Sequence, residues 1–220
     1  MRYSSLIFDL DGTLLDTVAD IGAAANQVLH ELGYPPHPLP AYQGFVGSGV
    51  AVLFQRALSG DHPPSSLIDD CVERFDRAYA RCWNKASRPY DKIPELLNHL
   101  SASSYRLAIL SNKPDAFTKK CVSHYFPTYC FDPVLGQRPS TGPKPDPQAV
   151  REIMQYHQVS AEQTIFVGDS EIDVQTAKNA GIFSIGVAWG YRGSEVLLSQ
   201  DVDLLIEHPS ELVTFLDTPL

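Results

Sequence analysis

The sequence predicts an α/β fold: a doubly wound, Rossmann-like parallel sheet with an all-helical segment inserted after the first strand. Three observations predict it. After Pro89, short apolar runs alternate with stretches of helical period, as in a parallel sheet covered by helices on both faces. From 17 to 88 the period is helical throughout, with no convincing strand. Each cluster of chemistry-bearing residues falls just after a run read as a strand, where open α/β sheets form their ligand crevice.

The first strand runs from Ser4 to Asp9, with Leu6-Ile7-Phe8 at its centre. A helix over 17–33 follows from Val18, Ile21, Ala25, Val28, Leu29 and Leu32 on one face, and Gly33 with the prolines at 35, 36, 38 and 40 stops it. Helices over 50–58 and 67–82 follow from the same spacing in Val50, Leu53, Phe54 and Ala57, and in Ile68, Cys71, Phe75 and Tyr79. Helices over 94–103, 114–125, 147–157 and 172–180 then lead to strands over 107–110, 131–135, 164–167 and 183–187. A strand over 203–206 and a helix over 209–217 close the chain. The expected division is a core of residues 1–16 and 89–220 with a helical domain of residues 17–88.

With 220 residues, the chain is long enough to bury its core without disulfides or a structural metal. Apolar residues at 44% and charged residues at 20% exclude wholesale disorder. The net charge of −9 argues against nucleic acid or an anionic membrane as partner. Residues 17–88 hold 6 basic and 7 acidic side chains against 11 and 19 elsewhere, so the acidity belongs to the sheet. No apolar run approaches the roughly 18 residues of a membrane span, and Met1 to Ser5 lead directly into the first strand without a leader-like segment. Cys71, Cys82, Cys121 and Cys130 show no metal spacing and read as reduced thiols of a cytoplasmic protein.

Four segments should converge at one end of the sheet: Asp9 to Thr13, Ser111-Asn112-Lys113, Lys144, and Gly168 to Asp173. They bring together carboxylates, a hydroxyl and a lysine. Packed carboxylates repel unless a cation or proton neutralises them, and an all-oxygen donor set suits a hard cation, with Mg²⁺ the usual one beside phosphate. The lysine and serine suit phosphate oxygens, and a central aspartate can serve as a nucleophile through an acyl-phosphate. The constellation reads as phosphoryl transfer.

These segments, IFDLDGTLLDT (7–17), SNKP (111–114), GPKPDP (142–147) and VGDSEIDVQTAKNAG (167–181), resemble the four motifs of the haloacid dehalogenase superfamily, in family order. That family inserts a helical cap of its first type after motif one. GSGVAVLFQRAL (47–58), SNKPDAF (111–117) and GVAWGYRGSE (186–195) further resemble the phosphoglycolate phosphatases.

The resemblance implies a Mg²⁺-dependent phosphomonoester hydrolase. Asp9 is the expected nucleophile, and Asp11 the acid–base residue that protonates the leaving alkoxide and then activates water. The metal ligands are Asp9, the Asp11 carbonyl and Asp169, with Asp173 binding through water or orienting Lys144. Ser111, Asn112 through its backbone N–H, and Lys144 receive the phosphoryl group. Gly12 provides the tight turn, and Thr13 holds the loop or bonds to Asp9.

In the cap, Gly47-Ser48-Gly49 is either a receiver of a small carboxylate at a helix start or an ordinary glycine turn. Arg56 and Arg192 are either carboxylate partners or surface arginines, and Lys113 is either a site residue or a solvated lysine. The seven histidines sit in no ligand spacing, and Trp83 and Trp189 read as packing residues. The expected substrate is a small phosphorylated metabolite, with 2-phosphoglycolate the leading choice, and the expected assembly is a monomer or homodimer. A sugar-phosphate phosphatase, a phosphomutase and a pyrophosphatase share the chemistry. A receiver-type signalling module shares the acidic cluster, but orders its acidic pairs differently and has no use for an inserted cap.

Overall fold

The computed structural model describes residues 3–58 and 63–218. Its strands are β1 (Ser5–Phe8), β2 (Leu15–Asp16), β3 (Arg88–Pro89), β4 (Arg106–Pro114), β5 (Phe131–Gln137), β6 (Thr164–Gly168), β7 (Phe183–Val187) and β8 (Leu204–Ile206). Six of them form one parallel sheet in the order β5-β4-β1-β6-β7-β8. Strands are added outward from β1 first on one side and then on the other, so the switch point of the sheet lies at β1, between β4 and β6.

The helices are α1 (Val18–Glu31), α2 (Leu39–Phe45), α3 (Val50–Ala57), α4 (Ser65–Tyr79), α5 (Ile93–Ser101), α6 (Asp115–Tyr125), α7 (Gln148–His157), α8 (Glu171–Ala180), α9 (Gly193–Ser199) and α10 (Pro209–Asp217). All of β1 is buried, and the alternation of side chains along a strand divides the core in two. Ile7, Ala108, Leu110 and Phe166 face Ala149, Val150 and Ile153 of α7 and Ala177 of α8. Leu6, Phe8, Ile109 and Val167 belong to the other face, whose apolar cluster continues through α5 and α6 into Val28, Phe54 and Phe75 of the inserted helices. That continuity is what holds the insert above the carboxyl end of the sheet.

Three elements differ from the reading of the sequence. The first helix ends at Glu31 ahead of Gly33, as expected, but α2 has no counterpart in that reading: Pro38 is its N-cap and Pro40 lies in the first turn, where a missing N–H has no consequence. Leu15–Asp16 and Arg88–Pro89 pair antiparallel, so the insert departs and returns through a two-stranded stalk too short to show a period. The seven-residue α9 follows β7, in a stretch to which the sequence assigns no element. In addition, β4 runs on to Pro114, and its register with β5 shifts between Leu110 and Pro114. Ser111-Asn112-Lys113 therefore sits on an irregular strand end. Among the described residues no helix is long and apolar enough to cross a membrane.

Asp20 anchors the stalk. Its buried carboxylate accepts hydrogen bonds from the Ala86 N–H at 3.0 Å, the Ser87 N–H at 2.8 Å and the Ser87 hydroxyl at 2.6 Å. Asp20→Ala strands those donors and is expected to lower the unfolding free energy by about 2 kcal/mol, read from urea denaturation.

Candidate active site

Asp9 follows directly on β1 and extends its ladder, its N–H donating to the Val167 carbonyl at 2.9 Å. Asp169 follows β6, and Asp173 lies in the first turn of α8, where it forms a capping box with Ser170. Lys144 comes from the proline-rich loop between β5 and α7. Motifs spread over 165 positions thus meet at one sheet end: carboxylate oxygens of Asp9, Asp169 and Asp173 lie within 4.8 Å of one another.

Lys144 Nζ donates to Asp173 Oδ1 at 2.7 Å and stands 2.9 Å from Asp9 Oδ1. Asp173 Oδ2 accepts from the Ser170 hydroxyl at 2.6 Å and the Ser170 N–H at 3.1 Å, so the side chain that aims the lysine is itself fixed. Asn112 fixes the lysine's backbone: its Oδ1 accepts from the Lys144 N–H at 2.8 Å and its Nδ2 donates to the Lys144 carbonyl at 3.1 Å. Both side chains are nearly sealed from solvent. Burial pushes the Asp9 carboxyl up to about 7 against the opposing pull of Lys144, and the charge of Asp173 adds to the rise. Burial, then Asp173 and Asp9, hold Asp169 well above the usual carboxylate range. For Lys144, burial opposes the charge, but the carboxylates of Asp173 and Asp9 outweigh it and keep the ammonium charged.

Two glycines make the packing possible. Gly12 has φ +92°, and a Cβ there would meet Asp169 Oδ2 at 2.4 Å. At Gly190 it would meet Asp169 Cβ at 2.2 Å and the Gly12 carbonyl at 2.5 Å. The main chain therefore closes around Asp169 from both sides. The Tyr191 N–H donates to Asp169 Oδ2 at 2.7 Å, and the Thr13 hydroxyl to Oδ1 at 3.3 Å. Thr13 thus bonds to Asp169, not to Asp9. Trp189 covers this loop, its indole N–H donating to the Thr13 carbonyl at 2.9 Å.

Asp11 is turned away from the three-carboxylate cluster. Its oxygens accept from Lys113 Nζ at 3.1 and 3.0 Å, and Oδ1 also accepts from the Thr17 hydroxyl at 2.8 Å. Lys113 is buried, so the solvated reading of this lysine is overturned. Its ammonium loses hydration by burial, but the Asp11 carboxylate more than compensates and raises it above the ordinary lysine range. Thr17 is also held by Tyr191, whose hydroxyl accepts from the Thr17 N–H at 2.9 Å.

A pocket of about 490 Å³ of non-atom space, partly open to solvent, lies over these residues. Asp9, Asp11, Ser111, Asn112 and Lys113 form its floor. Gly47 and Gly49 reach it from the insert, and Asn112 Nδ2 donates to the Gly47 carbonyl at 3.0 Å. Ser48 and Arg56 are placed elsewhere. The Arg56 guanidinium donates to the carbonyls of Gly44 at 2.9 Å and Phe45 at 3.2 Å, which are left open at the end of α2, and to the Ser48 hydroxyl at 3.2 Å. Arg192 pairs with Glu171 at 3.0 Å and crosses to the carbonyls of Gln43 and Val46. Both arginines thus serve the main chain near α2, and neither borders the pocket. No described histidine borders it; His157 instead ties Ser5 Oγ at 2.7 Å to the Asp132 carbonyl at 2.6 Å, and His62 lies outside the described residues.

The family profile of the haloacid dehalogenase-like hydrolases matches residues 6–187. The chain belongs to that family. A phosphoglycolate phosphatase of Vibrio parahaemolyticus is 36% identical over 213 residues, spanning 94% of this chain and 93% of its own. One from Pseudomonas putida is 35% identical over 206 residues, spanning 92% of this chain and 75% of its own. A solved structure from Lactobacillus delbrueckii subsp. bulgaricus, a candidate phosphoglycolate phosphatase, superposes with a TM-score of 0.91 at 30% identity, covering 96% of this chain and 97% of that one. The enzyme is a phosphatase of this hydrolase family.

The cluster fits a divalent cation on its own chemistry, since three buried carboxylates face a single ammonium and all the donors are oxygens. Without the cation, Asp9 and Asp169 bind protons more tightly folded than unfolded. Their contribution to stability is therefore full below about pH 4 and is lost as the pH rises through their raised values, about 7 for Asp9. Millimolar Mg²⁺ is expected to raise the melting temperature more at pH 8 than at pH 5.5, with EDTA as reference in a differential scanning series.

Proposed function

We propose that this phosphatase hydrolyses a small phosphorylated carboxylic acid, with 2-phosphoglycolate as the leading substrate, through a phosphoryl-enzyme formed on Asp9. The observation that carries the reading is the position of Asp9: it stands at the switch point of the sheet, on the floor of the pocket, and its carboxylate faces Lys144 and Asp169. The names of the curated relatives supply the substrate.

The chemistry follows from the geometry. Asp9 attacks phosphorus in line and the ester oxygen departs. Lys144, held by Asp173 and Asn112, neutralises charge on the equatorial oxygens without having to reorganise. Ser111 and the Asn112 main chain, on the same floor, receive the remaining oxygens. Asp11 protonates the departing alkoxide and then takes a proton from the water that cleaves the acyl-phosphate. Its orientation is set by Thr17 and Lys113. Mg²⁺ would be held by Asp9, Asp169 and the Asp11 carbonyl, with Asp173 behind them, and would supply charge neutralisation between nucleophile and phosphate. Gly12 and Thr13 keep Asp169 in place for that role. The four unpaired thiols fit a reducing, cytoplasmic setting.

Steady release of phosphate from 2-phosphoglycolate in Mg²⁺ is the expected outcome, against a single stoichiometric burst for a phospho-signalling module. Asp9→Asn, nearly isosteric, is expected to retain the melting temperature and lose at least about three orders of magnitude in kcat. Retained turnover in that variant removes Asp9 as nucleophile. Excess Ca²⁺ is expected to inhibit, because it prefers more ligands at longer distances than Mg²⁺.

A further inference from the structure

The pocket has two unlike walls. Its insert side is apolar, built from Ile21, Val46, Val50, Leu53 and Phe75, with one polar exception, Tyr79 at the end of α4. Tyr79 is 1% exposed, and its ring is fixed by stacking on Phe75 (centroids 5.3 Å apart, planes at 12°) and by an edge contact with Phe117 at 5.0 Å. Its hydroxyl has no hydrogen-bond partner. Buried tyrosine hydroxyls usually find one, and an orphan on a pocket wall calls for an explanation.

Lys113 stands beside it, the ammonium 4.7 Å from the centroid of the Tyr79 ring. That ammonium donates to the two Asp11 oxygens, at 3.1 and 3.0 Å, and its remaining N–H lies toward the tyrosine hydroxyl without closing an ordinary hydrogen bond to it. At this point the pocket therefore offers an unspent hydroxyl donor with a cation beside it. Arg56 and Arg192, the two arginines that the sequence offers as carboxylate partners, are committed to main-chain carbonyls outside the pocket.

We propose that Tyr79 is a specificity-determining residue, its hydroxyl acting with the ammonium of Lys113 to hold a carboxylate at the end of the substrate remote from phosphorus. A carboxylate only accepts hydrogen bonds and carries the charge that Lys113 lacks on that side. An ammonium group there would meet a like charge, and an alkyl group would leave the hydroxyl unpaired. The apolar wall leaves room for a compact carbon skeleton and supplies no second anion site. The inference rests on the proposed hydrolysis of a phosphorylated carboxylic acid and identifies what reads the acid.

The test compares 2-phosphoglycolate with ethyl phosphate, which has a methyl group in place of the carboxylate. Tyr79→Phe removes an oxygen that makes no intramolecular bond, so the fold is retained; a thermal melt verifies this. The ratio of kcat/KM for phosphoglycolate to that for ethyl phosphate is expected to fall about tenfold in Tyr79→Phe, chiefly through KM for phosphoglycolate. A residue that merely packs would shift both substrates alike, so a ratio unchanged from that of the parent enzyme overturns the inference. If the parent enzyme itself shows no preference for phosphoglycolate over ethyl phosphate, the substrate reading fails, and the inference fails with it.

Discussion

Asp9, Asp169 and Asp173 press carboxylate oxygens to within 4.8 Å of one another inside the protein, with Lys144 as the one ammonium against them, and much of the surrounding architecture serves to keep them there. Like charges out of water separate unless the chain forbids it. Here the chain forbids it three times: the parallel ladder fixes Asp9 and Asp169 on adjacent strands, the capping box at α8 fixes Asp173, and the main chain at Gly12 and Gly190 encloses Asp169. An excess of negative charge confined in this way is an attractor for cations and, through them, for phosphate. The folding energy spent in holding it is recovered as preorganisation when charge develops in the transition state.

The division of labour between sheet and insert follows from the same constraint. The floor already holds the acids and bases, so the insert adds an apolar ceiling that excludes water and strengthens each electrostatic contact beneath it. Arg56 of the insert and Arg192 of the core do not join the chemistry. Both satisfy carbonyls near the end of α2, and Arg192, paired with Glu171, attaches that end to the core.

The sheet and the catalytic motifs were legible because each depends on local pattern. Leu6-Ile7-Phe8 and Ile165-Phe166-Val167 are apolar runs followed within two residues by an aspartate, and a buried strand delivering an acid to the crevice can be recognised within ten residues. What stayed hidden depends on long-range geometry. The Lys113–Asp11 pair spans 102 positions, the Tyr191–Thr17 contact 174, and the Arg192–Val46 contact 146. No periodicity encodes such contacts. Arg56 illustrates the same limit: an arginine near a glycine-rich turn suggests an anion, but here the guanidinium is spent on the open carbonyls of α2. Proline ends a helix at one position and begins one at another: the stop after α1 was legible, but the start of α2 shows only in the backbone of Pro38 and Pro40.

The amide of Asn112 makes three contacts, two to the main chain of Lys144 and one to the Gly47 carbonyl across the cleft. Because separate N–H bonds of Nδ2 serve Lys144 and Gly47, losing the Gly47 bond would leave the other two contacts of this amide intact. The paired grip on Lys144 survives. The position of Lys144 is therefore set within the core and does not depend on contact with the roof.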